Sequence, residues 1–235
     1  MTAWVRIEVN GAIAWAEEDG DVCHVLNDAP WSDGTRTGAS AKAATATRHA
    51  PATPSKIVCV GRNYAAHAKE LGNEVPKLPL LFLKPPSALI GPDAAIALPA
   101  ESERVEHEAE LALVIGQPLR DADESAARAA VFGFTGANDV TARDLQRADV
   151  QFTRGKGFDT FCPLGPRLVA ADGLDPSNLY VRARVDGEIR QDGRTSAMMW
   201  PAFALRRRLR LHPGQLRRVH RVHVGPVSKA EACCL

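Results

Sequence analysis

Residues 3–28 carry three β-prone runs, VRIEV, AIAWAEE and VCHVL, separated by Asn10-Gly11 and Asp19-Gly20-Asp21. Asn-Gly and Asp-Gly between such runs are strong hairpin signals, so the N-terminus is expected to be a small β module. Residues 30–54 are rich in Ser, Thr, Ala, Gly and Pro with few large apolar side chains, and read as a surface linker. KIVCVG (56–61) is a β-branched run ending at a glycine, and LLFLK (80–84) is a second strand that Pro85 and Pro86 stop. Between them, RNYAAHAKELGN has the Ala-rich centre of a helix and a Gly72-Asn73 pair suited to its C-terminal cap. RVEHEAELALVIG (104–116) reads as one long strand, DESAARAAVFG (123–133) as a helix and DVTARDLQ (139–146) as a helical turn or short helix. LYVRARVDGEIRQDG (179–193) reads as a hairpin turning at Asp186-Gly187. Many short strands with few helices predict a β-rich α+β fold rather than a doubly wound sheet.

Composition narrows the function classes. A chain of 235 residues is long enough for one large domain with an N-terminal appendage. Its 29 basic and 28 acidic residues leave a net charge of +1, which gives no global reason to expect nucleic acid or an anionic membrane as partner. No apolar run approaches the roughly 18 residues of a membrane span. The first twenty residues hold acids where a secretory signal would have its apolar stretch. Five scattered cysteines without CxxC spacing support neither a disulfide framework nor a zinc site. A cytoplasmic protein is the expectation.

Three constellations can carry chemistry. Glu108 and Glu110 lie two apart on a strand candidate, so they share a face with Glu106, and the strand then runs into the apolar LALVIG. Ionised carboxylates beside a buried strand are costly unless compensated, and a divalent cation would do so. A solvent-washed strand end is the plain alternative. Asp139 follows VFGFTGAN, where it sits at a strand end or caps a helix. Three carboxylates without nearby Cys or His would make an oxygen-only site suited to Mg²⁺, Mn²⁺ or Ca²⁺. His67 and Glu70, three apart on the helix candidate, can touch, as a general base and its orienting carboxylate do, or simply form a surface pair. The third set is Arg143, Gln146 and Lys156 with Arg62, Asn63 and Tyr64. Gly155 and Gly157 let backbone approach closely on either side of Lys156, whose ammonium could balance an enolate or a substrate carboxylate.

KIVCVGRNYAAHAKELG, PLLFLKPPSALIGP, RVEHEAELALVIG, NDVTARDLQ and KGFDTFCPLGP, in that order, resemble the fumarylacetoacetate hydrolase family, over about residues 55 to 200. That family includes acylpyruvate hydrolases, oxaloacetate decarboxylases and 2-hydroxyhepta-2,4-diene-1,7-dioate isomerases. The resemblance implies a mixed β-roll of the family's C-terminal-domain type with a small N-terminal β subdomain, as a homodimer. It implies metal ligands at Glu108, Glu110 and Asp139, with Mg²⁺ (or Mn²⁺ or Ca²⁺) as cofactor. It further implies a catalytic dyad at His67 and Glu70 with Lys156 at the enolate, and substrate contacts at Arg62, Tyr64, Arg143 and Gln146. The implied partner is a small keto acid, with no nucleic acid and no membrane. The implied reaction is hydrolysis of a C–C bond in a diketo acid, with isomerisation or decarboxylation as alternatives on the same site.

The organisation expected is an N-terminal β subdomain and linker over 1–54, a catalytic domain over 55–200, and a divergent tail over 201–235. Past Met199 the chain lacks the family's Thr-Gly-Thr-Pro segment, crowds Arg and His between 206 and 223, and offers no clear closing strand beyond VHVGPV. That bias fits a disrupted reading frame in a GC-rich coding sequence, and a genuine variant ending is the alternative. A basic run that binds nucleic acid is disfavoured, because no aromatic residues interleave to stack on bases. If the fold's C-terminal part is missing, an inactive metal-binding protein is the expectation.

Overall fold

Asn10 and Gly11 both take left-handed backbone angles (φ 53° and 76°). That turn matches the strand twist and folds β1 (Ala3–Val9) back on β2 (Ala12–Asp19), which a second turn at Gly20 (φ 57°) joins to β3 (Val22–Leu26). The chain is seen in a computed structural model that describes residues 1–64, 77–119, 122–201 and the strand 221–226. The stretch expected as a surface linker is neither irregular nor wholly on the surface, since Ala50, Pro51, Ala52 and Pro54 are buried and Ala50 and Ala52 join a core cluster. It adds β4 (Arg36–Lys42) to the edge of β3 and β5 (Arg48–His49) to β1. Six of the seven β4 residues are exposed, so no apolar alternation marks that strand in the sequence.

The rest of the chain supplies β6 (Lys56–Gly61), β7 (Leu80–Lys84), β8 (Leu89–Ile90), β9 (Val105–Glu106) and β10 (Ala109–Ile115). After helix α1 (Glu124–Ala129) come β11 (Val131–Asn138), β12 (Thr141–Ala142), α2 (Arg143–Ala148) and α3 (Thr153–Lys156). They are followed by β13 (Cys162–Ala170), β14 (Tyr180–Val185), β15 (Glu188–Arg194) and β16 (Arg221–Pro226). Among the described residues, twelve strands form one sheet along the path β4-β3-β2-β1-β13-β11-β10-β16-β6-β7, with β5 on β1 and β8 on β13. Most pairs are antiparallel, but β16 runs parallel to β6 and β8 parallel to β13. This is the β-rich α+β fold with a mixed sheet that the sequence predicts. In the tail, β16 takes in the first five residues of VHVGPV and lies between β10 and β6.

All seven residues of β10 are buried. Ala112 and Val114 face a core shared with Ile57, Cys59 and Leu168, while Leu111, Leu113 and Ile115 face another with Phe134 and Val181. A strand covered on both sides shows no polar alternation, which is why LALVIG reads as a continuous apolar run. The long strand expected over 104–116 is two strands. Residues 105–106 pair with β12 and residues 109–115 with β11, and the ladder breaks where the Glu108 N–H turns to the Asn138 side chain (2.9 Å). The helix expected over 123–133 stops at Ala129, because Val131 and Phe132 are β formers that join β11. Asp139 is not a helix cap: it directly follows the last residue of β11, and α2 starts only after Ala142. No helix among the described residues is long and apolar enough to cross a membrane.

Candidate functional site

The register of β10 on β11 sets Glu110 opposite Ala137 and Ala109 opposite Asn138, so Asp139 follows just beyond the strand end that faces Glu108. The Asp139 N–H donates to the Glu108 carbonyl at 2.7 Å and closes this corner. One carboxylate oxygen from each of Glu108, Glu110 and Asp139 lies within 4.8 Å of the others. The three residues are 4%, 1% and 1% exposed, which excludes the solvent-washed strand end.

Three acids so close and so dry need compensation. Asp139 has it on both oxygens, from Lys84 Nζ at 2.7 Å and Lys156 Nζ at 2.6 Å. Glu108 Oε1 faces Arg143 Nη1 at 2.6 Å, Lys156 Nζ at 3.2 Å and the Thr141 hydroxyl at 3.0 Å. Glu110 has none: both of its oxygens are buried without a hydrogen-bond partner among the described residues. Burial, and then the neighbouring Asp139 and Glu108 charges, push its carboxyl well above the usual range, and the two lysines only partly offset this. Burial pulls the Lys156 ammonium down, but Asp139, Glu108 and Glu110 outweigh it and hold its pKa above the ordinary value.

The residues present fit a divalent cation. The Glu110 carboxylate has no hydrogen-bond partner among the described residues, and one of its oxygens lies within 4.8 Å of an oxygen from each of two more acids. The donor set is all oxygen, which suits a hard ion such as Mg²⁺, Mn²⁺ or Ca²⁺. The nearby thiols do not change this: burial pushes Cys162 up to about 12 and Cys59 well above its ordinary value, so both stay protonated.

The other expected residues fall in several places. Lys156 ends α3, and its ammonium donates to Asp139 (2.6 Å), Thr141 Oγ1 (2.6 Å) and Glu108 (3.2 Å). All three of its N–H groups face these partners, so meeting an enolate would require giving one up. Its approach depends on Gly155, where a β-carbon would fall 2.8 Å from Gln146 N and 3.1 Å from Ala142 O. Arg143 is buried and tied to Glu106 at 2.8 Å as well as to Glu108, and Gln146 Oε1 accepts from its Nη1 at 3.0 Å. Arg62 holds a left-handed backbone (φ 56°), uncommon outside glycine and found where a site over-determines its chain. Asn63 is buried and bridges to the Trp200 backbone through both ends of its carboxamide (3.1 and 2.8 Å). The Tyr64 hydroxyl is buried with no partner among the described residues, and burial followed by the Glu110 charge pushes its phenol far above the ordinary value. His67 and Glu70 lie outside the described residues.

Two site residues escape the sequence reading. Lys84 is 1% exposed and donates to the carbonyls of Val140 (3.1 Å), Phe161 (2.9 Å) and Lys156 while pairing with Asp139. Thr141, fully buried, links Glu108 to Lys156. A signal for Lys84 was present: in β7, Phe82 and Lys84 point inward while Leu81 and Leu83 are exposed, so period two puts the lysine on the core face.

The family model described as fumarylacetoacetate (FAA) hydrolase C-terminal matches residues 56–209, more than half of the chain. Among solved structures, the chain resembles a 5-carboxymethyl-2-hydroxymuconate delta-isomerase from Mycobacterium smegmatis, at 38% identity and a TM-score of 0.86, covering 99% of this chain and 91% of the other. It is 49% identical over 152 residues to an uncharacterized protein of Methanocaldococcus jannaschii, covering 65% of this chain. It is 48% identical over 155 residues to a human mitochondrial oxaloacetate tautomerase, covering 64% of this chain. The matches span 63% of the archaeal relative's length and 49% of the human one's.

Proposed function

Because the chain belongs to the fumarylacetoacetate hydrolase family, we propose that it is a divalent-metal-dependent enzyme that interconverts keto and enol forms of a small 2-oxo acid, as an isomerase or tautomerase. The observation that carries this reading is Glu110, a carboxylate sealed from water with no hydrogen-bond partner among the described residues, beside Glu108 and Asp139. Two of the relatives bear isomerase and tautomerase names, which supports the same choice of reaction.

Glu108, Glu110 and Asp139 are the residues that would hold the ion. A divalent cation bound there supplies Lewis acidity, drawing electron density from a 2-oxo oxygen and making the adjacent C–H easier to deprotonate. Lys84 pairs with Asp139 and fixes its direction, and Arg143 does the same for Glu108 while anchoring Glu106. To meet a developing enolate, Lys156 would give up one of its hydrogen bonds to Asp139, Thr141 or Glu108. Arg62, Tyr64 and Gln146 are assigned to the substrate side.

Hydrolysis of a C–C bond uses the same electron sink and adds one demand, a water activated by His67 held by Glu70. The test is a panel of oxaloacetate and acylpyruvates with purified protein, with and without Mg²⁺. The expected result is decay of the enol absorbance without cleavage, abolished by EDTA and lowered about 100-fold or more in Glu110→Gln. Pyruvate together with a carboxylic acid would establish hydrolysis instead, and released CO₂ decarboxylation. Mg²⁺ binding with no turnover of any keto acid, or turnover indifferent to EDTA, would overturn the reading.

A further inference from the structure

Gln191 lies on β15, in the two-stranded β14–β15 sheet that stands apart from the main one. Its side chain is buried (2% exposed) and reaches across to β10. The carboxamide oxygen accepts from the Ala109 N–H at 3.1 Å, and the carboxamide nitrogen donates to the Ala109 carbonyl at 3.0 Å. A neighbouring strand would make this same pair of hydrogen bonds. Here a side chain makes it, at the residue between Glu108 and Glu110.

The need for it follows from the sheet. Among the described residues, β16 accompanies β10 from Ile115 back to Glu110 and does not reach Ala109. Without Gln191, the buried N–H and C=O of Ala109 would lose their partners among the described residues, at a cost that sheets avoid. Faces alternate along a strand, so the two peptide planes flanking Ala109 set the angle at which Glu108 and Glu110 project together. Fixing that backbone fixes both acids at once.

We propose that Gln191 is a positioning residue that sets the affinity of the carboxylate cluster for its ion by clamping the Ala109 backbone between the two glutamates. The inference rests on the reading of Glu108, Glu110 and Asp139 as an ion site, and its test separates the two. Mn²⁺ binding to the full chain is measured by calorimetry alongside the thermal midpoint. Gln191→Met, of similar length without hydrogen bonds, binds Mn²⁺ about tenfold or more weakly, the loss typical of residues that orient metal ligands. Val181→Ala, in the same hairpin and the same apolar cluster as Ala109 but with a side chain that makes no hydrogen bond to its backbone, lowers the midpoint and binds Mn²⁺ as the wild type does. If Gln191→Met does not fold, Gln191→Asn, whose arm is one methylene too short, replaces it under the same expectation. Affinity within twofold of wild type in the Gln191 variant, or an equal loss in Val181→Ala, overturns the positioning role and leaves the ion site standing. Wild-type protein that binds no Mn²⁺ overturns both.

Discussion

Lys84 Nζ lies 2.7 Å from Asp139 Oδ1, and neither side chain is reached by solvent. The same ammonium donates to carbonyls on three other segments, those of Val140, Lys156 and Phe161. One lysine therefore ties the end of β7 to the start of β12, the end of α3 and the approach to β13, and it delivers a positive charge to one of three clustered acids. Lys84→Met is predicted to destabilise the protein by about 3–5 kcal/mol, the cost of stranding a buried charge. Denaturant unfolding checks this against Arg154→Ala, which removes an exposed pair with Asp149 and should leave the midpoint essentially where it was.

Glu110→Gln should act in the opposite sense. Burying this carboxyl beside Asp139 and Glu108 costs stability whether it is ionised or must take up a proton, and it has no hydrogen-bond partner among the described residues. Removing that cost raises the thermal midpoint of the metal-free protein at pH 8, and losing the carboxylate abolishes ion binding. A lower midpoint would show that Glu110 is compensated. Stability is given up at this position for the sake of the site.

The same carboxyl sets a pH dependence whose sign is fixed. In the folded, metal-free protein its pKa stands well above 4.5, so the folded state keeps a proton that the unfolded chain releases near 4.5. Between that pH and the raised pKa, folding binds the extra proton, and this contribution to stability falls as pH rises. Metal binding should expel the proton. Calorimetry in two buffers of different ionisation enthalpy at about pH 5, just above the unfolded value, would then give different apparent heats, and identical heats would contradict the prediction.

Gly155→Ala tests how α3 is seated. The added carbon would meet backbone, Gln146 N at 2.8 Å and Ala142 O at 3.1 Å, so α3 must move and carry Lys156 with it. A loss of about 1–3 kcal/mol is expected, together with weaker Mn²⁺ binding. Unchanged stability would mean that the helix shifts freely.

What could be read from the chain beforehand divides along physical lines. The turns at Asn10-Gly11 and Asp186-Gly187, and the strands at 56–61 and 80–84, are local: dihedral preference and β-branched runs decide them. That Glu108 and Glu110 project together could be read from strand period, and Asp139 could be added as a strand-end or capping acid, to which the family resemblance gave the role of a third metal ligand. The break at His107 and Glu108 was not legible, because it arises where the chain exchanges β12 for β11 as its partner. β4 escaped for the opposite reason, since an exposed edge strand has no apolar face to betray it. Gln191 acts on Ala109 from 82 residues away, a separation that no local pattern bridges. Lys84 is intermediate: its inward direction could be read from period two, but its carbonyl partners, 56 to 77 residues ahead, could not.

The central claim is that Glu108, Glu110 and Asp139 close on one divalent cation. Crystals grown with Mn²⁺ and measured for anomalous scattering test it most directly. The account predicts one strong peak within roughly 2.5 Å of an oxygen from each of the three carboxylates, Glu110 included. A saturating soak that leaves this corner without a peak, or a manganese ion held elsewhere while Glu110 stays unliganded, would contradict it.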